Sequence, residues 1–302
     1  IYEWPQLGSL DDKAGLPIMD WIADSGSEVV LKLRKHFSTL QARLADRLTL
    51  DLGFALKGMV RSDHDWTLSL KNGDKTKDRA FSHVFLTMGF GDERPCGPIK
   101  PEDYWKPGAV GTSTSEAHAG TTYVVSGNGD GALTVFLGLL IRDFDHVEFT
   151  REFLSMNNAS ALRDATGQVF VGKGIDVDVE SDLRARVLPV LEKYGVIEKL
   201  QRKLRKDRRV TVNSNGPLFS AGRASQLNQC MVLAVLEAAN GAGVEIYRSQ
   251  GFVTACEEVE SGVRLAGTVL NGVADCGIYS HAILRHGPDI NNRYGPVGEL
   301  IG

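Results

Sequence analysis

Val29, Leu33, Phe37, Leu40 and Leu44 recur every three to four residues as one apolar stripe, which predicts a helix from Gly26 to Leu44. Ser25 and Glu28 stand at capping-box spacing at its start. Short apolar or alternating runs predict strands at Leu48–Leu52, Ala55–Val60 and Trp66–Leu70, with Asn72-Gly73-Asp74 as a hairpin turn. His83–Met88 (HVFLTM) reads as a buried strand that ends in Gly89-Phe90-Gly91-Asp92. Residues 1–24 read as loop-rich, packed by Trp4 and Trp21. Residues 93–118, with Pro95, Pro98, Pro101 and Pro107, read as a linker or crossover, and Tyr104-Trp105 within them as packing residues.

Thr121–Ile141 (TTYVVSGNGDGALTVFLGLLI) reads as an apolar strand, a tight glycine turn and an apolar helix. Gly127, Gly129 and Ala132 have the G-x-G-x-x-G/A spacing of a dinucleotide-binding turn. In such a turn the first glycine permits the sharp bend, the second lets a pyrophosphate approach, and the small third residue lets helix and strand pack closely. Ser126 and Gly131 complete the segment that would cradle the phosphates at a helix N-terminus. Asp130 lies inside the turn, where its carboxylate must point away from a pyrophosphate or cap a helix.

Residues 143–209 are expected to be largely helical, with a short amphipathic helix at Phe149–Met156 and a longer region, Asp182–Tyr194 and Ile197–Lys206, broken at Gly195. A strand follows at Arg209–Asn213 and a helix at Gln226–Ala239, ended by Asn240-Gly241. Strands are expected at Val244–Tyr247, Phe252–Glu257 and Val263–Ala266, then the turn Asn271-Gly272 and a last buried strand, Tyr279–Leu284, which runs into Arg285-His286-Gly287. The two halves therefore repeat an order: helix, strands, NG turn, closing strand ending at glycine. Ser82-His83 and Ser280-His281 open the two closing strands.

The chain has 302 residues, enough for two ordinary domains, and its net charge of −4 provides no global basic field for nucleic acid. The basic run KLQRKLRKDRR at 199–209 reads as a solvated helix face, with a nucleic-acid or phosphate patch as the alternative. No apolar run has the length of a membrane span and no signal-peptide pattern opens the chain, which starts at Ile1. Cys96, Cys230, Cys256 and Cys276 lack C-x-x-C spacing, which argues for a reducing, cytoplasmic setting and against a zinc site or a redox disulfide.

TMGFGDE, GNGDGA and RHGPD, in this order and setting, resemble the first closing motif, second phosphate turn and second closing motif of the two-dinucleotide-binding flavoproteins. That group comprises FAD/NAD(P)-dependent oxidoreductases and flavin monooxygenases, and the chain is also similar to bacterial FAD/NAD(P)-binding proteins. The resemblance covers most of residues 40–140 and 210–290. It implies an α/β fold of two Rossmann-like parallel-sheet units with β-meander insertions. The first unit would be incomplete, its phosphate turn expected before Ile1. The expected division is 1–110 for the FAD-type unit and 111–302 for the second, with a helical insertion at about 143–209. FAD and NAD(P) are the implied cofactors. Gly89, Gly91, Asp92, Arg285, His286 and Gly287 would line the cofactor cleft beside the turn. The missing cysteine pairing argues against the disulfide-reductase branch.

No acid–base constellation stands out among His64, His83, His118, His146, His281 and His286. His286 and Arg285 either face a nicotinamide or flavin or cap a strand end; Arg223 either binds a phosphate or is a surface arginine; Glu148 has roughly the spacing of a ribose-binding acid. The enzyme expected is a FAD- and/or NAD(P)-dependent oxidoreductase or monooxygenase-like protein acting on a small molecule, because a cofactor supplies the bond-making atoms. The alternative is a non-catalytic dinucleotide-binding sensor or scaffold module whose partners are other chains of an assembly.

Overall fold

The computed structural model describes residues 26–45, 47–87, 93–99, 120–270, 273–274 and 277–287. These divide into two compact units, one holding 26–94 and Gly287, the other 95–286.

In the smaller unit, helix α1 (Gly26–Arg43) follows the predicted stripe: Val29, Leu33 and Leu40 are half-buried, whereas Phe37 is exposed. Strands β1 (Ala55–Arg61), β2 (Trp66–Asn72) and β3 (Lys75–Phe81) form an antiparallel meander. Asn72 pairs with Lys75 across a two-residue turn, where Gly73 takes the positive φ of 58° that a tight hairpin requires. Two strand expectations fail here. Residues 48–52 form no ladder; Asp51 instead ion-pairs with Lys77 at 2.6 Å and Arg79 at 3.5 Å. Residues 83–87 also form no ladder, and Phe85 is 87% exposed. An apolar run becomes a buried strand only when a sheet receives it, and among the described residues no strand pairs with this one. Met59 is the one buried apolar residue among those described in this unit.

The larger unit carries the parallel sheet. Strand β4 (Thr121–Ser126) leads into α2 (Asp130–Leu140), and the chain returns to the sheet only at β5 (Arg208–Ser214). The expected insertion lies between them as α3 (His146–Met156), α4 (Ala159–Phe170), α5 (Glu180–Arg186), α6 (Leu188–Lys193) and α7 (Val196–Gln201). Asp145 opens α3 and Asn158 opens α4 with side-chain caps. Gly195, at φ 63°, makes the predicted break before α7. The basic run is not a helix face: α7 stops at Gln201, Leu204 bridges to Ile141, and Arg208 is buried against Asp207 and over the Tyr123 ring. Lys203 pairs with Glu152 and Arg209 with Glu245, so carboxylates neutralise much of the run.

Helix α8 (Gln226–Ala242) is capped by Ser225 and ends one turn later than expected, at Gly243, because that glycine takes the left-handed conformation. Strand β6 (Ile246–Gln250) follows, then β7 (Ala255–Val259), β8 (Gly262–Ala266), β9 (Val269–Leu270), β10 (Val273–Ala274), β11 (Ile278–Tyr279) and β12 (His281–Leu284). The predicted last strand is split at Ser280, with β11 pairing with β8 of the meander and β12 with β4 of the sheet. At the split, Ser280 N–H donates to Thr122 Oγ1 at 3.0 Å and Thr122 N–H to Ser280 Oγ at 3.2 Å.

Alternation along β4 separates two cores. Tyr123 and Val125 join α2, α8 and the inserted helices, whereas Val124 joins Leu284 and the β7–β8–β11 meander on the opposite face. Helix α2 is buried from Ala132 to Leu140, as an all-apolar helix must be. The chain is thus an α/β protein with a Rossmann-like parallel sheet in the larger unit. The described residues of the smaller unit include a helix and a meander.

Glu180 of α5 ion-pairs with Arg248 of β6 at 2.7 Å and with Arg184, which also pairs with Glu237 of α8. Burial raises the Glu180 carboxyl, but hydrogen bonds from Arg248 and Arg184 outweigh it and hold it below the usual carboxylate range. A lowered folded pKa gives stability that is present above the unfolded value and lost as pH falls through the folded one. Glu180→Gln is therefore expected to cost about 1 kcal/mol at neutral pH and to flatten the acid limb of a stability–pH curve from urea unfolding. In the same assay Phe136→Ala, in the core of α2, should cost about 3–5 kcal/mol, and Phe85→Ser should stay within about 0.5 kcal/mol.

Candidate functional site

The six-stranded sheet runs β10-β9-β6-β5-β4-β12, and β6, β5, β4 and β12 are mutually parallel. In chain order these four are third, second, first and fourth, the order of a doubly wound nucleotide-binding half. From β4 the chain proceeds to β5 on one side, and the meander later delivers β12 to the other. The switch point therefore lies between β4 and β12, outside whose carboxyl ends such sheets bind ligands. Gly127 begins the turn at that place.

Gly127 has φ 141°, and its N–H donates to Asn213 O at 2.8 Å. A Cβ built there would overlap the Arg285 carbonyl oxygen and lie 3.0 Å from the Ala132 Cβ. The protein's own packing therefore demands glycine at 127 and a small residue at 132. Gly129 differs. It is the N-cap of α2 with ordinary extended angles, and the nearest atom to an added Cβ is Arg223 O at 3.7 Å. A Cβ at Gly129 would thus fit in ordinary van der Waals contact, without a clash, and no side chain caps the N-terminus of α2, where Asp130, Gly131 and Ala132 form the first turn. A helix N-terminus with no side-chain cap, preceded by a glycine, fits a pyrophosphate.

Asp130 points away from this approach. Its carboxylate accepts from Ser225 N–H at 2.8 Å and Asn228 Nδ2 at 2.6 Å, which places it at the start of α8 rather than on its own helix. With Asn228 Nδ2 given to Asp130, Asn228 Oδ1 faces His146 Nε2 at 3.1 Å, so that ring nitrogen is the donor. The starts of α2, α8 and α3 are joined by this chain of groups, in which His146 and Asn228 had no sequence signature.

At the strand ends, Asn213 Nδ2 donates to Ser126 Oγ at 2.8 Å and Gly251 O at 3.1 Å, tying β5 to β4 and β6. Ser126 Oγ is hydrogen-bonded to His286 Nε2 at 2.7 Å, and Ser126 O accepts from Arg285 N–H at 2.7 Å. Ser126 is buried, so its hydroxyl orients His286. The His286 ring stacks on Phe252 with centroids 6.2 Å apart, and Phe252 is half-exposed at the end of β6. Phe252 read in the sequence only as the start of a strand; its position directly after a strand-ending glycine was the available signal. Arg285 is buried and builds the turn through its main chain.

Other candidates lie elsewhere. Gly287 has φ 74° and accepts from Arg94 N–H within the smaller unit. Gly89, Gly91, Asp92, His118, Tyr104 and Trp105 lie outside the described residues. Arg223 is held by both oxygens of Asp176, and its guanidinium keeps that carboxyl below its ordinary range. Glu148 sits in the first turn of α3, paired with Arg151 at 2.8 Å, because the helical insertion displaces the second strand from the usual spacing. The end of β5 carries Ser214 and Asn215 instead of a carboxylate. Among the described residues no group of three His, Cys, Asp or Glu side chains could hold a metal, and no helix is long and apolar enough to cross a membrane.

No family model matches the chain, and no curated protein does. Among solved structures it is similar to ornithine hydroxylase PvdA from Pseudomonas aeruginosa, with 12% identity over 89% of this chain and 62% of that one, at a TM-score of 0.33. It is similar to lysine monooxygenase NbtG from Nocardia farcinica, solved with an unprecedented NADPH-domain conformation, with 14% identity over 87% and 53% of the two chains and a TM-score of 0.38. It is also similar to the ornithine N-hydroxylase KtzI of Kutzneria sp. 744, solved with reduced FAD, NADP+ and L-ornithine, with 9% identity over 89% and 62% and a TM-score of 0.37. The chain spans less than two thirds of the length of each.

The contrast between the two glycines is directly measurable. Gly127→Ala should lower stability by roughly 1–3 kcal/mol or prevent folding, whereas Gly129→Ala should stay within about 0.5 kcal/mol of the parent, as read from thermal and urea unfolding.

Proposed function

We propose that the larger unit binds a dinucleotide, and that the protein is a FAD- and/or NAD(P)-dependent oxidoreductase or monooxygenase-like enzyme. The observation that carries this reading is a glycine turn at the switch point whose second glycine is not demanded by the protein's own packing, and which leads into a helix whose N-terminus has no side-chain cap. Gly127, Gly129, Gly131 and Ala132 would cradle the pyrophosphate. Ser126 would hold His286 in place, and Phe252 and His286 would face a ring of the ligand. When bound, a nicotinamide supplies a hydride, and a flavin accepts it for transfer onward. The chain's own residues bind and orient. Ser214 and Asn215 at the end of β5, where an acid would meet an unmodified ribose, support NADP(H) over NAD(H).

A second reading, a non-catalytic dinucleotide-binding module of an assembly, is favoured by one feature: the polar groups nearest the turn, Asp130 and Ser126, are engaged in the structure itself.

The visible spectrum of the natively purified chain, with mass spectrometry of what it releases on denaturation, tests the cofactor. A flavin band with released FAD supports the flavoprotein, a colourless chain releasing NADP(H) leaves the turn as the working site, and a chain that neither carries nor binds either overturns the reading. Gly129→Val should keep the fold while weakening NADPH binding roughly tenfold or more in a fluorescence titration. Unchanged affinity would put the pyrophosphate elsewhere.

A further inference from the structure

We infer that Cys96 and Cys256 form a modification site, a pair of thiols that a peroxide converts to an intramolecular disulfide. They are far apart in sequence and have no motif spacing, but the fold puts them in one cluster. Cys256 is buried in β7 among Val124, Val253, Leu265, Tyr279 and Leu284, and Cys96 and Ile99 pack over it. The segment carrying Cys96 is held in place: Cys96 and Ile99 exchange main-chain hydrogen bonds at 3.3 and 3.2 Å, and Gly97 between them has φ 57°. The main chain at Gly97 lies directly on Cys256, such that a Cβ built there would be 2.5 Å from Cys256 O and 3.8 Å from Cys256 Cβ.

Their environments differ in a way that assigns the roles. Cys96 is partly exposed and accessible to a small oxidant, whereas Cys256 is buried. Burial and the neighbouring Cys96 push the Cys256 thiol up to about 12, so it stays protonated at neutral pH. Cys96 is thus the first sulfur oxidised and Cys256 the resolving one. In the first step Cys96 Sγ attacks hydrogen peroxide; the O–O bond breaks, Cys96 becomes a sulfenic acid, and one water leaves. Cys256 Sγ then attacks Cys96 Sγ, the S–O bond breaks, and the hydroxyl departs as a second water with the Cys256 proton. Two thiols are oxidised by two electrons and one peroxide is reduced to two waters. The new bond fastens residues 95–99 to the meander that delivers β12 to the sheet. Cys230 provides an internal contrast: it is fully buried against Thr166, its thiol also pushed up to about 12, with no exposed partner beside it among the described residues.

The test uses the whole chain treated with hydrogen peroxide under native conditions, then denatured and mapped as peptides without reductant. Thiol titration should fall from the four cysteines of the sequence to two. The peptide containing Cys96 should appear joined to that containing Cys256, lighter by two hydrogens and released by a reductant. Cys96→Ser should abolish the link. In Cys256→Ser the Cys96 sulfenic acid should persist and react with dimedone, while circular dichroism confirms that both variants fold. Oxidation of Cys96 in the parent chain without a link, or a link that uses Cys230 or Cys276, would overturn the assignment.

Discussion

A side chain cannot be accommodated at position 127, and much of the larger unit is arranged around that fact. The end of β4, the main chain after β12 and the first turn of α2 meet there, with the Arg285 carbonyl and the Ala132 methyl occupying the space a Cβ would need. Close packing allows β4 and β12 to lie side by side as parallel neighbours while the chain between them detours, among the described residues, through helices α2 to α8 and strands β5 to β11. The same closeness brings Gly129 and the uncapped start of α2 to the switch point.

Polar groups around the turn complete the frame. Asn213 reaches from β5 to Ser126 and Gly251, and Ser126 reaches on to His286, so four strand ends are tied by side chains where ladder hydrogen bonds stop. Asp130 performs the corresponding task for the helices by satisfying donors at the start of α8. Buried polar groups are costly unless paired, and here the pairing with Ser126 fixes the His286 ring, which stacks on Phe252. The long insertion is held to the sheet by the Glu180, Arg248, Arg184 and Glu237 network, which also offsets the charge of an otherwise polar helical segment.

The described residues of the smaller unit follow a different balance. The β1–β3 meander is closed by its hairpin turn and by ion pairs from Asp51, and Met59 is its one buried apolar side chain. Phe85 and Leu52 are strongly exposed there. Local hydrogen-bonded pairing can form a meander without a thick core, whereas the strands of a parallel sheet need cover on both faces.

Local physics was legible in the sequence by itself. The stripe of α1, the hairpin at Gly73, the break at Gly195, and the strand, turn and helix around Gly127 each depend on residues a few positions apart, and each stands as read. Tertiary structure decided whatever depends on a distant partner. Residues 83–87 are largely apolar, but no sheet among the described residues receives them; the basic run has the spacing of a helix but is drawn into ion pairs with Glu152, Asp207 and Glu245. Glu148 has the spacing of a ribose acid, but an insertion carries it away from the strand ends. Phe252 beside His286, Asp130 beside Ser225, and Cys96 beside Cys256 are contacts across 34, 95 and 160 positions of the chain. Periodicity and turn chemistry operate over one or two turns of backbone, whereas a binding crevice is an encounter between strand ends that only the folded sheet brings together.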